Sequence, residues 1–357
     1  MSSLCTARLL IPRYHPLFST PIQSQRQRCD INFTSRGYAS PSKTHTRPSS
    51  AVSSTATTTF ANDVNPPPST RPADLNLPDA ISPSASTAEK LFRFVKIGRA
   101  YLSFYKTGLK NVYHNYRASL PIRRSLGLPP YLPISPPPAP SSSSSQDKQS
   151  VAFRKTILSA QLSRSNFQLV RRAAYDVQRM IPFTLILIIC GEMTPIVVTN
   201  LPSAVTPFTC RVPRQTERDH SQRMARKRAA LIAQQAATGV SVTPPATGSD
   251  EELVLLVKMY TNPKWIERAT AEEVLRACAV LNLVHRHTRH SGLASLYRRK
   301  LQRYAEYLRL DDWLIRRCGG VWEMEAAEVK IAVEERGGVG VAEKDERQWL
   351  EKWLMQK

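Results

Sequence analysis

Acidic side chains are the first thing this sequence is short of. In 357 residues, 28 Asp and Glu stand against 50 Lys and Arg, a net charge of +22 with a pI near 10.1. That balance argues against an acidic or neutral cytosolic metabolic enzyme and favours nucleic acid, a ribosome or an anionic membrane as partner. Glycine is scarce as well, 13 against 27 prolines, a composition in which much of the chain is not packed and no single large enzyme fold is indicated. Catalytic signatures are missing: there is no GxSxG, GxxxxGK[ST], HExxH, GxGxxG or EF-hand loop. Single Ser, Cys and His residues occur without a second partner at a recognisable spacing, so the chain reads as a non-enzyme with no cofactor. The cysteines, Cys5, Cys29, Cys190, Cys210, Cys278 and Cys318, include no CxxC pair. This argues against a zinc site and a secreted disulfide framework and leaves isolated thiols.

What is there is unevenly distributed. Residues 1–62 hold seven Lys or Arg and one acid, Asp30; residues 90–180 hold sixteen against two. The first 38 residues are rich in Arg, Ser and Thr with no long apolar core, the composition of a mitochondrial transit peptide, and Arg36-Gly37-Tyr38-Ala39-Ser40 fits matrix processing after Tyr38. Residues 39–89 are Ser, Thr, Pro and Ala and read as a disordered tether. Residues 119–150, with Pro136-Pro137-Pro138 and the serine run from Ser141, read as a second linker. Between them, residues 90–118 form an amphipathic helix: Leu91, Val95, Gly98, Leu102, Tyr105, Leu109, Val112 and Tyr116 recur at spacings of four and three. Two roles stand for that stripe, packing against the rest of the domain or lying on an anionic membrane surface.

Residues 151–213 contain the most apolar segment, about 180–201, and a helix of that length spans roughly 33 Å, close to bilayer thickness. Pro182 and Phe183 open it, while Gly191, Glu192, Thr194 and Pro195 interrupt it with a carboxylate that is costly in lipid and a proline that removes a donor. It reads either as a transmembrane helix with Glu192 facing a cavity or partner, or as a buried helix of a soluble domain; the leader and the basic flanks favour the membrane. Both flanks are basic, so charge alone does not orient it.

Residues 214–357 read as a helical bundle. Arg223, Arg226, Lys227 and Arg228 cluster near its start, suited to RNA phosphates or to a solvated face. Further on, Glu273-Val274-x-x-Ala277 recurs as Glu328-Val329-x-x-Ala332, each followed by a second helix, which implies two helix-loop-helix units. The loop of the first unit carries His285, Arg286, His287, Arg289 and His290, followed by Arg298 and Arg299. A basic loop tip is the simpler account of it than a metal site.

Two stretches resemble the leucine-zipper/EF-hand-containing transmembrane (Letm) family of the mitochondrial inner membrane. One is Leu169-Val-Arg-Arg-x-x-x-Asp176 with Ile181-Pro182-Phe183, Glu192, Pro195, Pro202 and Pro207-Phe208. The other is Leu310-Asp311-Asp312-x-Leu314-Ile315-x-x-x-Gly319-Gly320-Val321, with Glu328-Val329, Arg336-Gly337 and Leu350-x-x-Trp353-Leu354. The resemblance implies an all-α protein with a single membrane-spanning helix and a 14-3-3-like, matrix-side ribosome-binding domain. Calcium sensing and coiled-coil assembly are not carried over, because the EF-hand and the long heptads are absent.

The resulting expectation is a non-enzymatic inner-membrane protein that binds mitochondrial ribosomes through Arg223, Arg226, Lys227, Arg228, His285, Arg286, His287, Arg289, Arg298 and Arg299. It would support membrane-protein biogenesis or ion homeostasis, with inner-membrane lipid as its second partner. One alternative is cation/proton exchange through Glu192, which requires a homo-oligomer because one carboxylate on one helix forms no path. The other is a soluble matrix helical protein that binds RNA.

Overall fold

The computed structural model describes residues 64–79, 86–128, 157, 162–190, 205–239, 243–284 and 294–357. Among these, every regular element is helical, as an all-α chain requires. The leader 1–38, the greater part of the 39–89 tether, the linker beyond residue 128, Glu192 and Pro195 of the apolar segment, and the loop His285, Arg286, His287 and Arg289 lie outside the described residues.

Helix α1, Thr87–Ser125, starts where Ser86 and Glu89 cap each other: the Glu89 amide donates to Ser86 Oγ at 3.3 Å and the Ser86 amide to Glu89 Oε2 at 2.8 Å. It outruns its expected limits of 90–118, continuing through Pro121 into residues assigned above to a linker. The cause is burial: Ser119, Arg123 and Leu126 are enclosed, and Ile122 packs against the main core. Helix α2, Arg164–Cys190, runs antiparallel to it. Tyr105 meets Phe183 at a ring separation of 6.3 Å, while Asn115 and Arg172, further down, both bond the 68–70 turn.

The segment from Val64 is no loose tether. Val64 is fully buried, the Pro68–Thr70 turn is a short 3-10 helix, and Asn65 both donates to Glu323 O and accepts from the Glu325 amide. Its prolines cost little to order because φ is already fixed, and Arg71 pairs with Glu325 and Glu328. It is a strap across the body.

Helix α3, Pro213–Thr238, follows the Phe208–Cys210 turn and ends at Gly239, whose φ of 67° is the left-handed cap that glycine adopts without penalty. Helix α4, Asp250–Leu255, runs on as a π-helix to Tyr260. Short α5, Pro263–Arg268, then leads to the first expected pair, α6 (Ala271–Val280) and α7 (Ala294–Arg317). Thr270 and Glu273 form a capping box at the start of α6. The second pair is α8, Ala326–Glu335, and α9, Glu346–Met355. Here α8 follows Glu325, its N-cap residue, and the acid of its first turn is Glu328.

One hydrophobic cluster unites these helices. Val274, Leu281, Leu308, Leu314, Val329 and Leu350 are buried in it, with Leu255 partly so, and Phe167 and Val170 of α2 join them. The proposed division between 151–213 and 214–357 therefore does not hold: α2 supplies part of the bundle's own core. A satellite cluster of Phe104, Tyr105, Phe183, Cys210 and Val212 fastens α1 and α2 to the 208–210 turn. Among the described residues no helix is long and apolar enough to cross a membrane. The apolar segment is described only as far as Cys190, the end of α2.

The α1 contact is close. A Cβ on Gly108 would lie 2.7 Å from Cys210 Sγ and 2.9 Å from Thr209 O. Gly108→Ala is expected to destabilise the chain by about 1–3 kcal/mol, measured as a lower denaturation midpoint; an unchanged midpoint would place α1 away from this turn.

Candidate functional site

Polar groups are concentrated inside the body rather than around a cleft. Arg164, Arg171 and Arg172 project from α2 at the spacing that places them on neighbouring faces, and α7 and α8 present Asp311, Asp312, Glu328, Glu335 and Arg336. Arg164 Nε donates to Asp311 Oδ1 at 2.9 Å and its Nη1 to Val64 O at 2.9 Å. Arg336 donates to Asp311 Oδ2 at 2.8 Å and Asp312 Oδ1 at 2.6 Å. Arg172 holds Glu328 with two parallel 2.8 Å bonds, the fork-to-fork geometry that makes such pairs strong. Gln168 bonds Asp311 and the Tyr307 hydroxyl, and Tyr307 donates to Glu335 at 2.6 Å. Arg171 lies 3.4 Å over the Tyr307 ring and donates to Glu335 at 2.7 Å. The last turn closes the set: Trp353 Nε1 and Lys357 Nζ reach Asp312 at 3.2 and 3.0 Å.

Four guanidinium groups thus face four carboxylates with little access to water. Burial alone would push the Asp311 carboxyl up, but Arg164 and Arg336 outweigh it and hold it well below the carboxylate range. Burial and Arg171 oppose each other in the same way at Glu335, which also ends below its ordinary value. The lattice is closed upon itself and works as a fastening. A cleft beside α5 and α7, lined by Thr261, Ile266, Ala305 and Arg309 among others, has a volume of about 10 Å3, room for one water.

Asp176, on α2 one turn beyond Arg172, is different. It is buried, accepts the Phe208 amide at 2.6 Å, and is pushed up to about 6, chiefly by burial and against the opposing pull of that amide and Arg211.

The expected ribosome-contact residues divide. Lys227 is a correction: only 4% of it is exposed, its ammonium lies 2.7 Å from Glu252 and 3.1 Å from Val339 O, and burial lowers its pKa. It faces inward because the Glu252 carboxylate of α4 and the Val339 carbonyl both meet its ammonium there. Arg223 shares Glu334 with His220. Arg226 reaches Val284 O at 3.5 Å from α3, and Lys300 of α7 donates to Leu283 O at 2.5 Å. Two basic clusters about seventy residues apart in sequence therefore converge on the two carbonyls directly preceding His285. Arg228 and Arg299 are exposed on these helices, while Arg298 is turned to Ala269 O. Of the expected membrane residues, Pro182 lies inside α2 and Phe183 is buried in the satellite cluster.

Cys210, Cys278 and Cys318 are free and buried, and the described residues contain no group of His, Cys, Asp and Glu able to hold a metal ion. Fold and surface together define a basic, all-helical protein whose buried charges fasten its helices. Residues 88–318 match the profile of the pentamidine resistance factor domain, and the chain belongs to that family. No curated protein and no solved structure matches it. These comparisons do not show the Letm family, and the resemblance to it rests on the residue pattern alone.

Sequence reasoning missed the lattice, although its members were in view. Arg171, Arg172, Asp311, Asp312, Glu328, Arg336 and Trp353 all belong to the two stretches quoted for the Letm resemblance.

Arg336→Met leaves Asp311 and Asp312 short of a buried partner and is expected to cost about 3–5 kcal/mol of stability, with a smaller further loss on adding Asp311→Asn than that change causes alone. Additive losses in urea titrations would mean that the groups act separately. For Asp176 the unfolded carboxyl ionises near its ordinary 3.8 and the folded one near 6, so the folded state binds more protons across that window. Its contribution to stability falls as pH rises from about 4 to 6 and stays low above. Asp176→Asn is expected to gain on the wild type over that interval, and parallel stability profiles would contradict the assignment.

Proposed function

We propose that this chain is a mitochondrial inner-membrane protein whose helical body contacts the mitochondrial ribosome and supports membrane-protein biogenesis, a role akin to that of the Letm proteins it resembles. The observation that carries the ribosome contact is the convergence of the α3 and α7 basic clusters on Leu283 and Val284. Arg226, half-buried on α3, and Lys300, exposed on α7, bring positive charge from two helices to one place, where phosphate can meet both. The leader and the apolar segment beginning near residue 180 support the inner-membrane address. Family membership brings the term pentamidine resistance. Resistance through membrane function is the form of it that agrees with this reading. Exchange through Glu192 gains no support from the geometry, because Glu192 lies outside the described residues.

The test is cosedimentation of the full chain with mitochondrial ribosomes over a salt series. Binding is expected to weaken linearly on logarithmic axes, and the pair Arg226→Glu with Lys300→Glu should lower the slope by about two. No binding even at low salt removes the ribosome reading.

A further inference from the structure

The apolar stripe of α1 is longer than the surface it packs on. At 100° per residue, Leu91, Val95, Gly98 and Leu102 fall within about 60° of one another and continue the line of Tyr105 and Val112. Tyr105 and Val112 are buried on α2 and its neighbours, but Leu91, Phe92, Phe94 and Leu102 are each exposed by 62–65%. Helix α2 does the same at its other end. Phe183 is enclosed, and beyond it Ile188 and Ile189 stand 71% and 81% exposed, with Ile181 and Leu185 also uncovered. Because the two helices are antiparallel, the start of α1 and the end of α2 leave the Tyr105–Phe183 contact in one direction.

The charges that the two helices place around this projection are basic, with one exposed acid of the strap, Asp79, beside Arg93, which donates to its carbonyl at 2.9 Å. Lys96 and Arg99 lie on the exposed start of α1, Lys106 and Lys110 follow, and the Lys96 ammonium sits 4.7 Å over the Phe92 ring, its stem laid along the apolar strip. The sole acid of α1, Glu89, is engaged in capping Ser86, and the sole acid of α2, Asp176, is buried against Phe208. At the base of the α2 projection, Arg179 lies 3.3 Å over the Tyr175 ring, and Arg211 donates to the Tyr175 hydroxyl at 2.9 Å. An aromatic side chain with flanking arginines below an exposed aliphatic run is the arrangement found where protein meets the headgroup layer.

We propose that the projecting ends of α1 and α2 form a wedge that seats in the interface of an anionic phospholipid bilayer, with Leu91, Phe94, Ile188 and Ile189 below the headgroups, Phe92 at the rim, and Lys96 and Arg99 among the phosphates. A protein partner would need a greasy groove rimmed entirely by carboxylates; an anionic leaflet supplies both properties over its whole area. The cations recur too closely along α1 for it to cross the membrane, so its place is in the interface plane. This seat shares the membrane address proposed above but depends on neither the ribosome contact nor a spanning segment.

Flotation of the purified full chain with phosphatidylcholine vesicles, with and without phosphatidylglycerol, tests the wedge. The wild type is expected to prefer the anionic vesicles and to be partly released by salt. Lys96→Glu with Arg99→Glu should weaken anionic binding at least about fivefold per charge changed and leave binding to neutral vesicles unaltered. Leu91→Ser with Phe94→Ser should weaken both. All four positions lie outside the core, so helix content and denaturation midpoint are expected to hold. Equal wild-type binding to the two vesicle types, or variants that float like the wild type, overturns the proposal. So does a wild-type dimer that Leu91→Ser with Phe94→Ser converts to monomer, which would assign the strip to a second copy of the chain. Ribosome cosedimentation of the same variants is expected to be unchanged, which separates failure of the wedge from failure of the ribosome contact.

Discussion

The buried exchange of charge among Arg164, Arg172 and Arg336 and the carboxylates Asp311, Asp312 and Glu328 is the constraint on which the rest of the molecule rests. Each ion gives up hydration that its partners replace only in one geometry, since the guanidinium fork and the carboxylate must lie in register. Any packing that moves α2 relative to α7 and α8 strands a charge without water. An apolar core of Leu and Val alone tolerates sliding better than this. The lattice thus sets which faces of the helices meet, and the surrounding hydrophobic cluster supplies the drive to bring them together.

This bears on where the family match ends. The matched region stops at Cys318, one residue past α7, yet Glu328, Glu335 and Arg336 lie beyond it on and next to α8 and complete the lattice with residues inside it. Physically the matched region and the final two helices are one body. Lys357, the last residue, still holds Asp312 at 3.0 Å.

The helices and their periodicity were legible in the sequence because they are local: Thr270 and Glu273 announce α6, and the α1 stripe is visible by counting. Boundaries were less so. Residues 119–125 look like linker from their proline and serines, and only the tertiary burial of Ser119, Arg123 and Leu126 keeps them helical. The Val64–Arg71 strap has the composition of a tether, and its order comes from partners more than 250 residues away, which no local pattern encodes. For the same reason Lys227 looked like its neighbours Arg226 and Arg228; its carboxylate partner on α4 is what turns it inward. The motif residues Asp311, Asp312 and Arg336 stood out as a pattern without showing that their task is to bind one another.

The strap also fixes an order of assembly. Asn65 bonds groups 258 and 260 positions further along the chain, so the strap finds its seat only once nearly everything after it has been made and gathered. Contacts this distant close late and are costly in loop entropy. A polypeptide built this way secures its described beginning last.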